Sequence, residues 1–317
     1  MRTENSKYIP GLISVVMPCY NAEPYLEEAV SSVFKQTHRE TELIVVDDGS
    51  TDNSLSILNK LSVIHGDRLI LLKQANQGPY PARNYALSKA SGEYIAFLDA
   101  DDYWDDQCLE KLLYTLEYSG ADLSYCGWQN VVENGKNREP YVPPAYENGK
   151  NIYARFLKSC PWPIHAALVR ATVIESANGF STRCFRSMDY DLWIRISTIT
   201  TNIILVPEVL AYYRWHDHSQ ISSIKWKQVL DSWDVRKTFV KNNPSLVENI
   251  PPSELQQLIN GYAIRQAYDA LWKRDLVSSQ QLFRVILKEN CWKVKDLKYI
   301  IPSLLPHSIF KWLAGQK

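Results

Sequence analysis

The sequence predicts an α/β protein: a mostly parallel sheet flanked by helices, followed by a helical C-terminal appendage. Three observations predict it. Short apolar runs alternate with helical segments through the first half of the chain, the pattern of repeated β-α-β units. Acidic residues stand directly after two of those runs, where an open parallel sheet binds ligands. From Ile224 onward only helical signals remain.

Leu12–Met17 reads as the first strand. Glu23–Phe34 follows as a helix, with Leu26, Ala29, Val30, Val33 and Phe34 on one face and Pro24 near its first turn. Leu43–Val46 is a second buried strand. Asp47-Asp48-Gly49-Ser50-Thr51-Asp52 is a turn with cap residues, and a helix runs on through Leu58. Leu69–Lys73 is a third strand, and Gln77-Gly78-Pro79-Tyr80-Pro81 is a loop before a helix from Ala82 to Ala90. Tyr94–Leu98 is the fourth strand. Beyond it, the pattern gives a helix at 106–118 and strands at Asp122–Cys126 and Ala166–Val169, with a long polar loop or hairpin at 130–150. A helix over Asp189–Ile199 and strands at Ile203–Val206 and Val209–Trp215 complete this part. Gln228–Val240 and Pro252–Trp272 are the clearest helices of the appendage. A boundary near 218–226 divides a first domain, 1–222, from a helical region, 223–317.

Length and charge set bounds. The 317 residues suffice for two domains, or one domain with an appendage. Formal net charge is zero, but residues 225–317 carry 15 Lys and Arg against 8 Asp and Glu, while residues 1–224 carry 20 against 27. This split suits an acidic catalytic part and a basic docking part, or equally a solvated basic helical surface. The net acidic first part argues against nucleic-acid binding. The six cysteines are scattered without a C-x-x-C pair, which argues against a zinc or redox motif and fits a reducing compartment. Met1–Gly11 lacks the apolar stretch of a signal peptide, and no apolar run approaches the ~20 residues of a spanning helix. The expectation is a cytoplasmic protein, with peripheral attachment to the cytoplasmic membrane face left open.

The richest chemical feature is Phe97-Leu98-Asp99-Ala100-Asp101-Asp102. Carboxylates so close repel one another, so stability alone does not account for them. A divalent cation relieves the repulsion, and Mg²⁺ and Mn²⁺ prefer hard oxygen ligands that they share with substrate phosphates. The plain alternative is a helix N-terminus decorated with carboxylates.

Four segments then occur in order: Ile13-Ser14-Val15-Val16-Met17-Pro18-Cys19-Tyr20-Asn21; Val46-Asp47-Asp48-Gly49-Ser50-Thr51-Asp52; Asn76-Gln77-Gly78 with Ala82-Arg83-Asn84; and Gly92-Glu93-Tyr94-Ile95-Ala96-Phe97-Leu98-Asp99-Ala100-Asp101-Asp102. Together they resemble the family 2 glycosyltransferases, which have the GT-A nucleotide-sugar-binding fold. The resemblance covers residues 11–220. It implies that Asp99-Ala100-Asp101 is the family's D-x-D motif, with Asp101 on the metal and Asp99 on the ribose or the metal. Asp102 is either a companion or a cap of the next helix. By the same resemblance, Asp48 receives a hydrogen bond from the base, and Pro18 and Tyr20 form the base-stacking wall. Asp47 is open to a structural role. Arg83 matches a position contacting the base or diphosphate, or is a helix-surface salt bridge. Gly78 permits an unusual backbone beneath the nucleotide.

The candidate general base is Asp189, in Met188-Asp189-Tyr190-Asp191 after Asn178-Gly179-Phe180. Family members usually carry Glu-Asp there; this chain keeps the Asp and has Met188 for the Glu. Asp191 lies on another side of the helix, within i,i+4 reach of Arg195. Tyr212-Tyr213-Arg214-Trp215-His216-Asp217-His218-Ser219 resembles the family's Tyr-Arg-x-His segment, which makes His216 a metal or diphosphate contact; His218 is a weaker one. Trp162 and His165 lie in a loop placed on the acceptor side, where an exposed Trp stacks on sugars, although most Trp residues are core.

The resemblance therefore implies an inverting, metal-dependent glycosyltransferase using Mn²⁺ or Mg²⁺. Its donor is a nucleotide-diphosphate sugar, a UDP-sugar for preference. Its acceptor is a saccharide or lipid-linked saccharide in cell-surface polysaccharide or lipid-linked oligosaccharide synthesis. The alternative is a non-catalytic nucleotide-sugar-binding scaffold, prompted by Met188. A dinucleotide-dependent dehydrogenase is disfavoured because no G-x-G-x-x-G follows the first strand. The basic, aromatic clusters at Trp292–Ile301 and Ile309–Trp312 suit contact with an anionic membrane, or a helical cap.

Overall fold

A computed structural model describes residues 7–132, 137–146, 152–183, 186–215 and 225–315. The chain divides into two compact units, one of Met1–Lys150, Pro161–Arg183 and Leu192–Asp217, the other of Asn151–Cys160, Cys184–Asp191 and His218–Lys317. The elements run β1 (Ile9–Cys19), α1 (Leu26–Phe34), β2 (Thr41–Asp47), α2 (Ser54–His65), β3 (Leu69–Lys73), α3 (Pro79–Leu87) and β4 (Gly92–Phe97). They continue as β5 (Tyr103–Trp104), α4 (Cys108–Ser119), β6 (Leu123–Val132), α5 (Ile152–Lys158), β7 (Ala167–Arg170), α6 (Ala171–Ser176), α7 (Met188–Ile196) and β8 (Ile203–Trp215). Helices α8 (Lys225–Asn242), α9 (Pro244–Val247), α10 (Pro252–Trp272), α11 (Leu276–Lys288), α12 (Leu297–Ser303) and α13 (His307–Gly315) end the chain.

The first unit is built on one mixed sheet of eight strands in the order β3-β2-β1-β4-β7-β6-β8-β5. The pairings β3-β2, β2-β1, β1-β4 and β6-β8 are parallel; β4-β7, β7-β6 and β8-β5 are antiparallel. The parallel half coincides with the β-α-β repeats of the sequence. Every residue of β2 is buried, as expected of a strand covered on both faces. Helix α1 turns Leu26, Ala29, Val30 and Val33 inward, and Pro79 starts α3 at a position that needs no N–H donor.

The two strands expected at Ile203–Val206 and Val209–Trp215 are one long strand. Its register against β6 slips between Cys126 and Gly127, where Val206 is followed by Val209. Pro207, without an N–H, is tolerated at such a bulge. Gly127 is required there: a Cβ would lie 2.8 Å from the Tyr141 carbonyl. Tyr141 pairs back on Trp128 in an antiparallel bridge.

The second unit has its own core, with Trp233, Ala263, Ala267, Phe283, Ile286, Ile300 and Phe310 among its members. Arg236 explains why two mid-chain segments belong to it. Its buried guanidinium donates to the carbonyls of Leu157 (2.7 Å) and Lys158 (3.3 Å) at the end of α5. It also lies 4.7 Å from the Tyr190 ring and 3.8 Å from that of Tyr262. A cation over these rings, on orphan helix-end carbonyls, satisfies both partners at once. Tyr190 in turn donates to the Phe156 carbonyl at 2.8 Å.

Candidate active site

Strands β1, β2 and β4 run parallel, with Cys19 opposite Asp47 and Val16 opposite Phe97. Their carboxyl ends therefore open on the same edge, and the residues just beyond them meet there. Three loops form the site.

The first loop follows β1. Tyr20 is 50% exposed at the edge, and Pro18 is the strand's last half-buried residue. Asn21 adopts φ 50°, a left-handed turn that Asn tolerates. Its side-chain oxygen accepts from the Thr51 amide at 2.8 Å. Asp52 accepts from the Glu23 amide (3.1 Å) and the Ser54 amide (2.9 Å), tying the second loop to the first. Burial opposes ionisation of Asp52, but these hydrogen bonds together outweigh it and hold the carboxyl below the usual range.

The second loop follows β2. Asp48 is buried, and its carboxylate accepts from the Gln74 side chain (2.7 Å), the Gln77 amide (2.9 Å) and the Gly78 amide (2.8 Å). Asp48 thus shapes the 74–78 loop with three of the roughly four lone-pair sites a carboxylate offers. Gly78 sits at φ 93°, which a residue with a side chain rarely adopts. Asp47 is buried beside Cys19, whose thiol is pushed up to about 12 by burial and by the Asp47 charge. That thiol is inert at neutral pH.

The third loop follows β4 and carries the acidic cluster. Asp99, Asp101 and Asp102 each offer an oxygen, all within 4.8 Å of one another. Arg83, buried on α3, forms an ion pair with Asp99. Its guanidinium lies 5.4 Å from the Phe180 ring. Arg83 is therefore a built-in counter-charge for the first Asp of the motif, and not a helix-surface pair.

Asp102 is only 1% exposed. Its Oδ1 accepts the Arg214 amide of β8 at 2.8 Å. Its Oδ2 lies 3.1 Å from His165 Nδ1, close enough for an ion pair but off the line of a good hydrogen bond. Burial raises its pKa, and His165 opposes that shift. The next helix, α4, is preceded by Gln107, so Asp102 is not its cap. Arg214 also donates from Nε to the Asp101 carbonyl (2.9 Å) and from Nη2 to Glu28 (2.6 Å). One arginine on the last strand thus braces the motif at two consecutive residues. Arg214 is the Arg of the Tyr-Arg-x-His segment, and its bracing role depends on partners far away in the chain.

Two loop residues expected on the acceptor side are core. Trp162 is 2% exposed and stacks on Tyr125, with centroids 4.2 Å apart. His165 is fully buried, stacked parallel to Tyr213 at 5.6 Å, and its carbonyl accepts from the Trp104 indole at 2.7 Å. A buried indole cannot offer its face to a sugar.

Asp189 lies in the first turn of α7, in the second unit, half-buried. Its Oδ1 accepts from the Tyr190 amide at 2.8 Å, and Cys160 Sγ stands 4.0 Å from Oδ2. A carboxylate at a helix N-terminus is stabilised in its charged form. Asp191, one turn in, is fully buried. His216 and His218 lie outside the described residues.

The structure therefore gathers Tyr20, Asp48, Gly78, Arg83, Asp99 and Asp101 on one sheet edge of the first unit. The donor set of the cluster is all carboxylate oxygen, which fits a hard divalent cation. Asp99 and Asp101 are the partly exposed members, and Asp102 is committed to β8.

Comparison with known proteins bears on the family and the fold. Residues 14–175 match the sequence model described as Glycosyl transferase family 2. The chain is 34% identical over 233 residues to the UDP-Glc:alpha-D-GlcNAc-diphosphoundecaprenol beta-1,3-glucosyltransferase WfgD of Escherichia coli, covering 73% of this chain and 87% of that protein. Among solved structures, S. aureus TarS in complex with UDP-GlcNAc superposes with a TM-score of 0.62 at 18% identity, covering 96% of this chain and 91% of that one. The mannosyltransferase PcManGT from Pyrobaculum calidifontis, in complex with GDP-Man and Mn²⁺, superposes with a TM-score of 0.58 at 16% identity, covering 96% and 84%.

Proposed function

The chain belongs to glycosyl transferase family 2, and from that premise we propose that it moves a sugar from a UDP-sugar to a hydroxyl acceptor with inversion at the anomeric carbon. The observation that carries the reading is the oxygen cluster of Asp99, Asp101 and Asp102 on the same sheet edge as Tyr20 and Asp48. Tyr20 and Pro18 offer a wall for the base, and Asp48 accepts from its imide N–H while shaping the Gly78 loop. Asp101, with Asp99, would hold Mn²⁺ or Mg²⁺, and His216 is kept as a further candidate. Such an ion supplies charge neutralisation to a departing diphosphate. Arg83 holds Asp99 in place. Asp189 takes the acceptor hydroxyl proton as that oxygen bonds to the anomeric carbon. The bond from that carbon to the phosphate oxygen breaks, and its electron pair leaves with the nucleoside diphosphate.

We assign this chemistry to residues 1–222, with 223–317 as a helical accessory region. The acceptor class we propose is a lipid-linked saccharide in cell-surface polysaccharide synthesis, supported by the acceptor in the WfgD name. None of the described helices is long and apolar enough to cross a membrane. The place of work we propose is the cytoplasmic membrane face, reached by peripheral contact, where a lipid-linked acceptor would be met.

The test is UDP release from a panel of UDP-sugars with a polyprenyl-diphosphate-linked acceptor, with and without Mn²⁺. The parent chain should consume one donor in a metal-dependent way. Asp101→Ala and Asp189→Ala should each lower turnover by at least about 100-fold. Full turnover in either variant removes that residue from its role. Met188, where the family resemblance implies Glu, favours a second reading as a donor-binding scaffold. Donor binding without consumption, acceptor present, would select it.

A further inference from the structure

The end of the second unit carries apolar residues on both of its sides. Ile300 and Phe310 enter the helical core. Ile301, Leu304, Leu305, Ile309 and Trp312 are exposed, with Trp312 at 61% and Ile301 at 60%. Ile309 and Trp312 stand three residues apart on one face of α13, and Leu305 lies in the turn just before that helix. This segment is not a loose tail. Arg284 donates to the carbonyls of Ser303 (2.6 Å) and Leu305 (2.9 Å), and Gln280 donates to the same two carbonyls at 3.0 and 2.8 Å. Arg274 donates to the Ala314 carbonyl at 2.8 Å. Helix α11 and the α10–α11 turn thus clamp α12 and α13 in place. Five exposed apolar side chains within twelve residues, on a segment held rigidly, call for an occupant.

The charge around it says which. Residues 291–317 contain five lysines and one acid, Asp296. Asp296 is buried, its carboxylate taken by the Tyr268 hydroxyl (2.6 Å) and the Lys293 amide (2.8 Å). Lys293, Lys295, Lys298 and Lys311 are all exposed. The outward charge of this stretch is therefore entirely positive among the described residues. A second copy of the chain on the same patch would set these lysines against themselves. An anionic bilayer instead receives the lysines at its headgroups, the indole at its interface and the aliphatic side chains at the acyl boundary.

We propose that α12 and α13 form a docking surface for an anionic lipid bilayer, through the exposed Ile301, Leu305, Ile309 and Trp312 together with the exposed Lys295, Lys298 and Lys311. This builds on the peripheral membrane contact proposed above and names the residues that make it.

The experiment is flotation of the full chain with phosphatidylcholine vesicles, with and without phosphatidylglycerol, at low and high salt. The parent should partition onto the phosphatidylglycerol vesicles alone and leave them at high salt. A Lys295→Gln, Lys298→Gln, Lys311→Gln variant should lose on the order of 100-fold in partition coefficient, at about fivefold per basic side chain near an anionic surface. Ile301→Ser with Trp312→Ser should lose about tenfold or more with charge unchanged. Both sets are solvent-exposed, and a circular-dichroism melt matching the parent verifies their fold. Equal partition onto both vesicle types, no flotation, or variants that float like the parent would overturn the proposal. So would a dimer in sedimentation equilibrium that Trp312→Ser dissolves. UDP release without vesicles, which the variants should leave unchanged, tests the transferase reading separately. A chain that floats but never consumes donor defeats that reading and leaves the docking surface standing.

Discussion

Replacing Asp102 separates two roles that an acidic cluster confounds, ligand and brace. The carboxylate is 1% exposed, accepts the Arg214 amide at 2.8 Å, and lies 3.1 Å from His165 Nδ1. Asp102→Ala leaves the Arg214 amide without its acceptor and His165 without its charged neighbour. A hydrogen bond to a charged group contributes about 1.5–3 kcal/mol, and a buried donor left unpaired costs about 1–3 kcal/mol. Against this, alanine removes a carboxylate whose own burial already raises its pKa. The net expectation is a loss of about 2–3 kcal/mol. Asp102→Asn keeps an oxygen for the Arg214 amide and sheds the buried charge, so it should cost about 1 kcal/mol or less. The assay is urea unfolding of metal-free protein followed by tryptophan fluorescence, repeated with Mn²⁺. The midpoint should fall clearly for Asp102→Ala and little for Asp102→Asn. Mn²⁺ should raise the midpoint of the parent and of Asp102→Asn, but not of Asp101→Asn. If both Asp102 variants unfold like the parent without metal, and both lose the Mn²⁺-dependent rise, Asp102 is a ligand and the bracing argument fails.

Arg83→Met strips Asp99 of its counter-charge and should destabilise by about 2–3 kcal/mol, below the full cost of breaking a buried pair because Asp99 keeps some solvent; Arg83→Lys should recover less than half, and denaturant titration reads both. Trp162→Ala should cost about 3–5 kcal/mol, as for a core aromatic; unchanged stability with a raised acceptor KM would return Trp162 to the acceptor side. Asp52 has a depressed folded-state pKa, so its contribution is present above the unfolded value of about 3.9 and is lost as pH falls through the folded value. Urea midpoints of the parent and Asp52→Asn should therefore converge as pH is lowered from neutrality; a gap that widens on acidification contradicts the sign of the shift.

Much of the parallel half was legible because it depends on neighbours in the chain. The runs Leu43–Val46 and Tyr94–Leu98 declare buried strands by apolar content alone, and the carboxylates after them share an edge once the strands are parallel. Gly78 and Pro79 mark their loop and helix start through backbone preferences that any single residue carries. The second half was harder. Helices α5 and α6 and strand β5 are short, and one or two turns or two residues leave no periodicity to detect. Trp162 and His165 looked like loop residues beside prolines, yet stacking on Tyr125 and Tyr213 buries them.

What the sequence determined by itself was the kind of fold, the order of the four family segments and the identity of the acidic residues, since each is written in contiguous residues. Tertiary structure alone decided how that acidity is distributed. It gave Asp99 to Arg83, committed Asp102 to Arg214 and His165, and left Asp101 partly exposed to solvent. It also decided that Arg236 draws the end of α5 and the ring of Tyr190 into the helical unit. These partners lie far apart in the chain. Their pairing is set by burial, where an unpaired charge or carbonyl costs more than any local propensity can repay.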